Sequence, residues 1–372
     1  MSNIDELPDL AGDVSTRVVP PAFDEVTHRV RARRGRRAAG TIAATALVVG
    51  ALALWQNVST TASSNPAPSI SQPADPAYPA GADWQQVVDG TDSHPYEVAG
   101  GDDGSVAIVW RALEQSTPAF ALVIRNPDGT DHGRVLDAPI QLTTVPGGWI
   151  GVRTTRAWFV DTDGTWTDLG TPLPGRAPRP GDVLVRGRLG LWLYSTQDHS
   201  WSTMSFDGLA NDLWVTAEGF VLTCAAEGQD VVVRLDAHEV ARAVGDSCTV
   251  AGRRDSLVVV VTGDAADGSV PINKVLWSDD GGQEWGPIAF APGSFNSVTV
   301  LEDGTPAIGT DGGAVTIGLF RSSEPPHGVV FSAGQRLYSL AYGQSTGAMS
   351  YTDDKGDTWR VAPVPGMESS EQ

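Results

Sequence analysis

The chain has 372 residues, of which 41% are hydrophobic and 19% are charged, a balance that excludes a wholly disordered protein. Its 42 glycines, 25 prolines and 12 tryptophans indicate many turns and short strands rather than long helices. The formal net charge of −20 argues against DNA, RNA and anionic lipid as partners of the large domain, because an acidic surface repels phosphates.

The N-terminal part predicts a membrane anchor. Residues 1–37 form a basic segment, and residues 38–56 form an uncharged, apolar stretch of transmembrane length. Six arginines precede this stretch: Arg29, Arg31, Arg33, Arg34, Arg36 and Arg37. No lysine or arginine then follows until Arg111, so the positive-inside rule places the N-terminus in the cytoplasm and the rest of the chain outside. A cleaved signal peptide is the alternative. We therefore expect a single-pass protein of the cell membrane with an extracytoplasmic C-terminal domain.

The next segment predicts a tether. Residues 57–83 are rich in serine, proline and alanine, a composition that buries too little apolar surface to order itself. We place the folded domain at residues 84–366 and a short C-terminal tail at 367–372.

The folded domain reads as an all-β protein. Apolar runs of four to eight residues alternate with turns rich in glycine and aspartate, as in SVAIVW (105–110) and SLVVVVT (256–262). Equivalent runs recur at an interval typical of β-propeller blades. The spacing predicts six or seven blades, and we prefer seven. The early segment WQQVV (84–88) is expected to supply the outer strand of the last blade and so to close the ring.

Two stretches share an unusual spacing of serine or threonine, aspartate, glycine and tryptophan. WSDDGGQEW carries it at Ser278, Asp280, Gly282 and Trp285. TDDKGDTW carries it at Thr352, Asp354, Gly356, Thr358 and Trp359. A degenerate copy, FVDTDGTW, keeps Asp161, Thr165 and Trp166, and YSTQDHSW (194–201) is an eroded fourth candidate.

The spacing resembles the Asp-box, or BNR repeat, of sialidase-like and sortilin-like β-propellers. In such a turn the aspartate accepts hydrogen bonds from backbone amides, the glycine takes a positive φ, and the tryptophan packs between sheets. The resemblance implies a structural role for these residues, away from the central funnel. A calcium ion held by the aspartates of turns such as GDDG (101–104) is the alternative; otherwise no metal or cofactor is expected.

The resemblance also implies an alternative function, an exo-glycosidase with a site in the funnel. Arginines that would clamp a substrate carboxylate are Arg111, Arg125, Arg153, Arg234 and Arg321, and candidate tyrosines are Tyr338, Tyr342 and Tyr351. The Arg-Ile-Pro motif of that family is absent, and no residue is assigned as catalytic. The preferred function is a non-catalytic binding or scaffold module for an envelope protein or glycan.

Cys224 and Cys248 are the two cysteines. Outside the cytoplasm they would form a disulfide between neighbouring strands of one blade, worth about 3 kcal/mol through loop entropy. In a reducing cytosol they would be unpaired core residues.

Overall fold

The computed structural model describes residues 83–367, apart from 91, 113–117, 188, 207–209, 266–267, 312–314, 319, 322–327 and 342–347. These residues belong to one compact unit. The predicted basic segment with its six arginines, the predicted transmembrane stretch, and the linker up to residue 82 lie outside the described residues, as does the tail after Met367. Within the described part, no helix is both long enough and apolar enough to cross a bilayer.

The domain consists of one short helix, α1 (Trp84–Val88), and seven four-stranded sheets, here called blades 1 to 7 in chain order. Blade 1 contains β1 (His94–Gly100), β2 (Val106–Ala112), β3 (Ala119–Arg125) and β4 (Asp131–Leu136). Blade 2 contains β5 (Gln141–Val145), β6 (Gly148–Arg153), β7 (Arg156–Asp161) and β8 (Trp166–Asp168). Blade 3 contains β9 (Leu173–Arg176), β10 (Asp182–Gly187), β11 (Gly190–Ser195) and β12 (Trp201–Met204). Blade 4 contains β13 (Asp212–Val215), β14 (Val221–Glu227), β15 (Asp230–Leu235) and β16 (His238–Val244).

The remaining three sheets complete the set. Blade 5 contains β17 (Ser247–Arg253), β18 (Ser256–Thr262), β19 (Ile272–Ser278) and β20 (Gly286–Pro287). Blade 6 contains β21 (Phe295–Val300), β22 (Pro306–Thr310), β23 (Val315–Ile317) and β24 (Phe320–Arg321). Blade 7 contains β25 (Val329–Ala333), β26 (Arg336–Leu340), β27 (Met349–Thr352) and β28 (Arg360–Ala362).

The seven sheets form a closed ring. Each sheet has an inner strand that contacts the inner strands of its two neighbours, and β1 of blade 1 contacts β25 of blade 7. The fold is therefore a seven-bladed β-propeller, which confirms the predicted all-β class and the preferred number of blades. In the six blades with consecutive strand order, antiparallel pairing puts the first and third turns on one face, which we call the lower face.

The core is divided among the gaps between blades. Because side chains alternate between the two faces of a strand, each sheet offers apolar residues to both neighbours. The described residues accordingly show one buried apolar cluster in each of the seven gaps. The gap between blades 7 and 1 holds Trp110 and Phe331, both fully buried.

The ring is closed differently from the prediction. WQQVV is the helix α1, not the outer strand of blade 7, which is β28. Asp83 caps the helix by accepting a hydrogen bond from the amide of Gln85 at 3.1 Å, and Val87 and Val88 are buried against blade 1. Burial of two adjacent valines on blade 1 thus overrides the strand preference of their β-branched side chains.

The C-terminal segment supplies the closure instead. The indole Nε1 of Trp110 donates to the carbonyl of Pro365 at 3.1 Å, and the amide of Gly366 donates to Asp131 Oδ2 at 2.9 Å. The Gln85 side chain donates to the carbonyl of Gly366 at 2.8 Å. The chain therefore returns to blade 1 after completing blade 7 and fastens there through backbone groups.

Blade 3 is the sheet with a rearranged strand order. Its order is β10-β11-β12-β9, and β9 pairs in parallel with β12. The outer strand of this blade therefore precedes its inner strand in the chain.

A disulfide joins Cys224 to Cys248. Cys224 lies on β14 of blade 4 and Cys248 on β17 of blade 5, so the bond crosses the gap between two blades. This corrects the expectation of a link within one blade: β15 and β16 complete blade 4, and the chain has entered the next sheet by residue 247.

Candidate functional site

The two stretches with complete spacing form equivalent turns. WSDDGGQEW joins β19 to β20 in blade 5, and TDDKGDTW joins β27 to β28 in blade 7, so both are third turns on the lower face. Asp280 Oδ1 accepts hydrogen bonds from the amides of Gln283 and Glu284 at 3.1 and 3.0 Å. Asp354 Oδ1 accepts from the amide of Thr358 at 2.9 Å.

A buried hydroxyl anchors each turn from beneath. Ser278 Oγ and Thr352 Oγ1 each accept the amide of the glycine four residues on, at 2.9 Å in both turns. Those glycines, Gly282 and Gly356, both have φ of +90°, a conformation that side chains disfavour. The hydroxyls also donate to the turn's aspartate.

The tryptophan of each turn lies between blades. Trp285 packs against the cluster between blades 4 and 5, and its Nε1 donates to the carbonyl of Gly282 at 2.9 Å. Trp359 packs against the cluster between blades 6 and 7. The turns therefore fix each tryptophan between its own blade and the preceding one.

The degenerate copy occupies the third turn of blade 2. Asp161 Oδ1 accepts the amide of Thr165 at 2.7 Å, and Trp166 packs against the cluster between blades 1 and 2. YSTQDHSW differs in position, because it joins β11 and β12, the second and third strands of its sheet. It is therefore not a fourth equivalent turn.

The centre of the ring shows a second repeated feature. Side chains on three inner strands accept the backbone amide of the next blade's inner strand: Glu97 accepts from Leu142, and Ser297 accepts from Val330 at 2.8 Å. Asp212 Oδ2 accepts from Val250 at 2.8 Å. Because the inner edge of each sheet lacks a further strand, these contacts satisfy amides that would otherwise be unpaired.

Glu97 is the unusual member of this set. Glu97 is half-buried, with protein groups packed closely around its carboxyl. This burial raises the pKa of Glu97 to about 8, although the hydrogen bond from the Leu142 amide acts in the opposite direction. Glu97 directly follows a bulge at β1, as Ser297 follows one at β21. The carboxyl is therefore largely protonated at neutral pH.

An ion pair crosses the axis on the lower face. Arg253 ends β17 of blade 5, and Asp102 lies in the first turn of blade 1; these blades are not neighbours in the ring. Arg253 Nη2 lies 2.9 Å from Asp102 Oδ1. The side chain of Arg253 is 3% exposed and that of Asp102 is 23% exposed. We call these two residues the axial pair.

Each member of the axial pair depends on the other for its charge. Burial raises the pKa of Asp102, and the nearby Arg253 opposes that rise. Burial lowers the pKa of Arg253, and Asp102 opposes that fall. Asp102 Oδ2 and Arg253 Nε are buried without a hydrogen-bond partner among the described residues. One free acceptor beside one free donor suits a bridging water or a ligand hydroxyl.

Neighbouring charges extend the contact around the lower face. Arg254 of blade 5 lies 3.5 Å from Glu302 of blade 6, and Gln335 of blade 7 donates to the same Glu302. Lys355 of blade 7 lies 2.9 Å from Asp303 of blade 6. Polar contacts thus tie four blades together around the axis.

The arginines selected from the sequence do not gather at one point. Arg125 pairs with Asp131, Arg153 with Asp137 and Arg234 with Glu227. Arg111 lies on β2 and Arg321 on the outer strand β24. These positions are spread over blades 1, 2, 4 and 6.

Two of the candidate tyrosines, Tyr338 and Tyr351, lie in blade 7. Tyr338 stacks on Phe331 with ring centroids 5.3 Å apart, and the Arg336 guanidinium lies 4.5 Å from the Tyr351 ring. Tyr342 lies outside the described residues. These rings contribute to packing within the blade.

The aspartates of the aspartate-rich turns accept hydrogen bonds from backbone amides of the same turns. Asp103 Oδ1 accepts the amide of Ser105, and Asp128 Oδ1 accepts that of Thr130, each at 2.9 Å. Across the residues that the structure covers, no three histidine, cysteine, aspartate or glutamate side chains are grouped to hold a metal ion.

No pattern in the sequence points to the central residues. Glu97 and Arg253 sit in ordinary strand and turn segments, and Arg253 meets Asp102 from 151 positions away along the chain. A buried-charge contact at that separation depends on the closed ring and has no local pattern.

The comparisons with known proteins give distant similarities of fold. No protein-family model and no curated protein match the chain. The WD40 domain of Neurospora crassa Pan2 is 12% identical, with a TM-score of 0.41, over 74% of this chain and 91% of that domain. Pyrococcus horikoshii acylaminoacyl peptidase is 13% identical, with a TM-score of 0.33, over 75% of this chain and 53% of the peptidase. The polysaccharide lyase Uly1 is 11% identical, with a TM-score of 0.30, over 73% of this chain and 82% of the lyase. At these values the similarities carry no argument about activity, and the fold rests on the seven sheets.

Proposed function

We propose that the protein is a membrane-tethered, extracytoplasmic β-propeller that acts as a non-catalytic protein- or glycan-binding scaffold of the cell envelope. The observation that supports the binding role is that the charged groups around the axis form ion pairs between blades. The buried Arg253 and Asp102 bridge two blades, and the surrounding charges bridge others, so these groups stiffen a platform. Three of the five candidate arginines, Arg125, Arg153 and Arg234, are paired in separate parts of the ring, which favours binding over clamping of one substrate carboxylate.

The location outside the cytoplasm is supported by two independent features. The apolar residues 38–56 follow a cluster of arginines, as a membrane anchor with a cytoplasmic N-terminus would. The disulfide between blades 4 and 5 suits an oxidising compartment, since such bonds are rare in reducing cytosol.

We also propose that the turns at Asp280 and Asp354 are of the Asp-box type. Their shared hydrogen bonds, positive-φ glycines and wedged tryptophans support this. The role that follows is to hold neighbouring blades together at the outer strands of the lower face.

Photo-crosslinking in cells tests the scaffold function. A crosslinking amino acid replaces Gln141, which is exposed at the start of an inner strand, and in a matched variant it replaces Asp303 on the lower face. We expect an envelope protein to be captured in stoichiometric amount from one face and not from the other. Capture of nothing above background from either face, together with glycan cleavage by the purified protein, would overturn the proposal.

A glycosidase remains the second candidate because of Glu97. A carboxyl protonated at neutral pH is the group that such enzymes use as a general acid. A panel of glycoside substrates with the wild type and Glu97→Gln tests this: hydrolysis lost in the variant would favour the enzyme.

A further inference from the structure

A groove opens at the outer part of the ring, between blades 1 and 2. It has a volume of about 320 Å³ and is lined by Trp84, His132, Gly133, Arg134, Asp163 and Trp166, among others. Helix α1 and β4 form one side, and the third turn of blade 2 forms the other. The volume is at the lower end of the roughly 300–1,000 Å³ typical of small-ligand sites.

Two tryptophans, Trp84 and Trp166, line the groove, and packing holds their indole rings in place. Trp84 lies against the backbone of Gly133, where a Cβ atom would come within 2.2 Å of its ring. Trp166 packs against Trp158 with ring centroids 6.0 Å apart. Both tryptophans are partly buried, so each keeps some surface for contact with a ligand.

The polar side chains of the groove differ in whether they have hydrogen-bond partners within the protein. Asp131 is saturated, because it accepts from Arg125 Nε at 2.7 Å and from the Gly366 amide at 2.9 Å. Within the described part of the chain, neither His132 nor Asp163 has a side-chain hydrogen bond or ion pair. Arg134 stacks over the Trp166 ring at 4.9 Å, with its donors otherwise unpaired among described residues.

The free groups indicate the chemistry of the ligand. Arg134 supplies hydrogen-bond donors and Asp163 supplies acceptors. Their opposite charges cancel, so the groove suits a ligand without net charge. Hydrogen bonds to charged groups are stronger than neutral ones, so hydroxyls are suitable partners for both. The exposed indole surface adds contact area for a flat ring with apolar C–H groups. A pyranose has both an apolar face and a rim of hydroxyls.

We propose that the groove formed by Trp84, His132, Arg134, Asp163 and Trp166 binds a neutral oligosaccharide. The proposal deepens the proposed binding function by assigning a ligand class, but it uses a place other than the surfaces tested by crosslinking. Failure of glycan binding in the groove would leave capture of a protein partner unaffected, so the two failures are distinguishable.

The chain's own proline-rich segment is the competing occupant. Residues 69–82 directly precede the groove in sequence and contain three prolines, and aromatic grooves bind extended proline-rich peptides. Proline residues offer no backbone N–H to Asp163, however, whereas a sugar hydroxyl can donate to Asp163 and accept from Arg134. The polar lining therefore favours a sugar.

Titration calorimetry of the full-length protein in detergent tests the proposal with cellotetraose, chitotetraose and maltotetraose as probes. We expect at least one to bind, and Asp163→Asn and Arg134→Met each to weaken that binding by about tenfold. Both residues are exposed, so these variants are expected to fold. Trp166→Ala should abolish binding, whereas Trp359→Ala, the matched tryptophan in the third turn of blade 7, should leave it unchanged.

Three results would overturn the proposal. One is no heat from any probe at about 10 mM. Another is binding that Asp163→Asn and Arg134→Met leave unchanged, which would place the sugar elsewhere. The third is binding of a synthetic peptide of residues 69–82, sensitive to Trp166→Ala, in the absence of sugar binding, which would assign the groove to the chain itself.

Discussion

The disulfide between blades 4 and 5 gives the sharpest prediction about stability. Cys224 and Cys248 are 24 positions apart, and both are buried. On the loop-closure relation, a link of this span stabilises the folded state by about 3 kcal/mol. At roughly 2–4 °C per kcal/mol for a domain of this size, loss of the bond should lower Tm by about 6 to 12 °C.

The assay is thermal unfolding of the full-length protein and of Cys224→Ala, Cys248→Ala and the double variant, followed by circular dichroism. Either single substitution removes the whole bond, so each single variant should lose nearly as much stability as the double variant. Two unlinked thiols would behave differently, because each alanine would then remove only its own packing contacts and the losses would add. Since both sulfurs are buried, reductant should reach the bond only as the domain unfolds, and it should then lower the apparent Tm towards that of the variants.

Additive losses in the double variant would refute the reasoning. So would two thiols that react with a labelling reagent after denaturation without reductant. Either result would also remove one of the two supports for a location outside the cytoplasm.

Three further predictions concern the turns and the axis. Thr352→Val removes the hydroxyl that accepts the Gly356 amide and should cost about 1–3 kcal/mol in urea unfolding, whereas Thr352→Ser keeps the hydroxyl and should cost less. Asp102→Asn removes the carboxylate paired with the buried Arg253 and should cost about 3 kcal/mol; Asp102→Leu combined with Arg253→Met should recover part of it, and simple additivity would contradict the pairing. Because the folded pKa of Glu97 is raised to about 8 from 4.5, the folded state holds an extra proton between these values, and stability should fall as pH rises through this window. Glu97→Gln should therefore raise Tm relative to wild type at pH 8 and have little effect at pH 4.5, and a difference independent of pH would contradict the raised pKa.

The middle strands of the blades were predictable from the sequence because they are buried on both sides. SLVVVVT became β18, in which all seven residues are buried, and DVVVRL became β15. Outer strands gave weaker signals, since they face solvent. HEVARAV forms β16 with one buried residue, and its alternation of polar and apolar residues is too faint to mark a strand.

The arrangement of elements was harder to predict because it depends on contacts distant in sequence. WQQVV has the composition of a short strand, but blade 1 offers its valines a buried site and Asp83 a capping role. LPGR (173–176) reads as a turn, yet it pairs in parallel with β12 as an outer strand. Of the sites, the turns at Asp280 and Asp354 are local and visible in the sequence, whereas the axial pair and the groove exist only after the ring has closed.

The closing seam and the groove share a residue, and this couples ligand binding to the integrity of the ring. Blades 7 and 1 are farther apart in sequence than any other neighbouring blades, so bringing them together has the largest loop-closure entropy cost. No disulfide spans the seam between them. Its stability comes from the cluster around Trp110 and Phe331, and from backbone contacts at Pro365 and Gly366. Trp84 packs against that same cluster and forms one wall of the groove. A ligand that binds the groove only when Trp84 is in place therefore stabilises the closed ring by mass action, and the seam that lacks a covalent link is the one that the ligand reinforces.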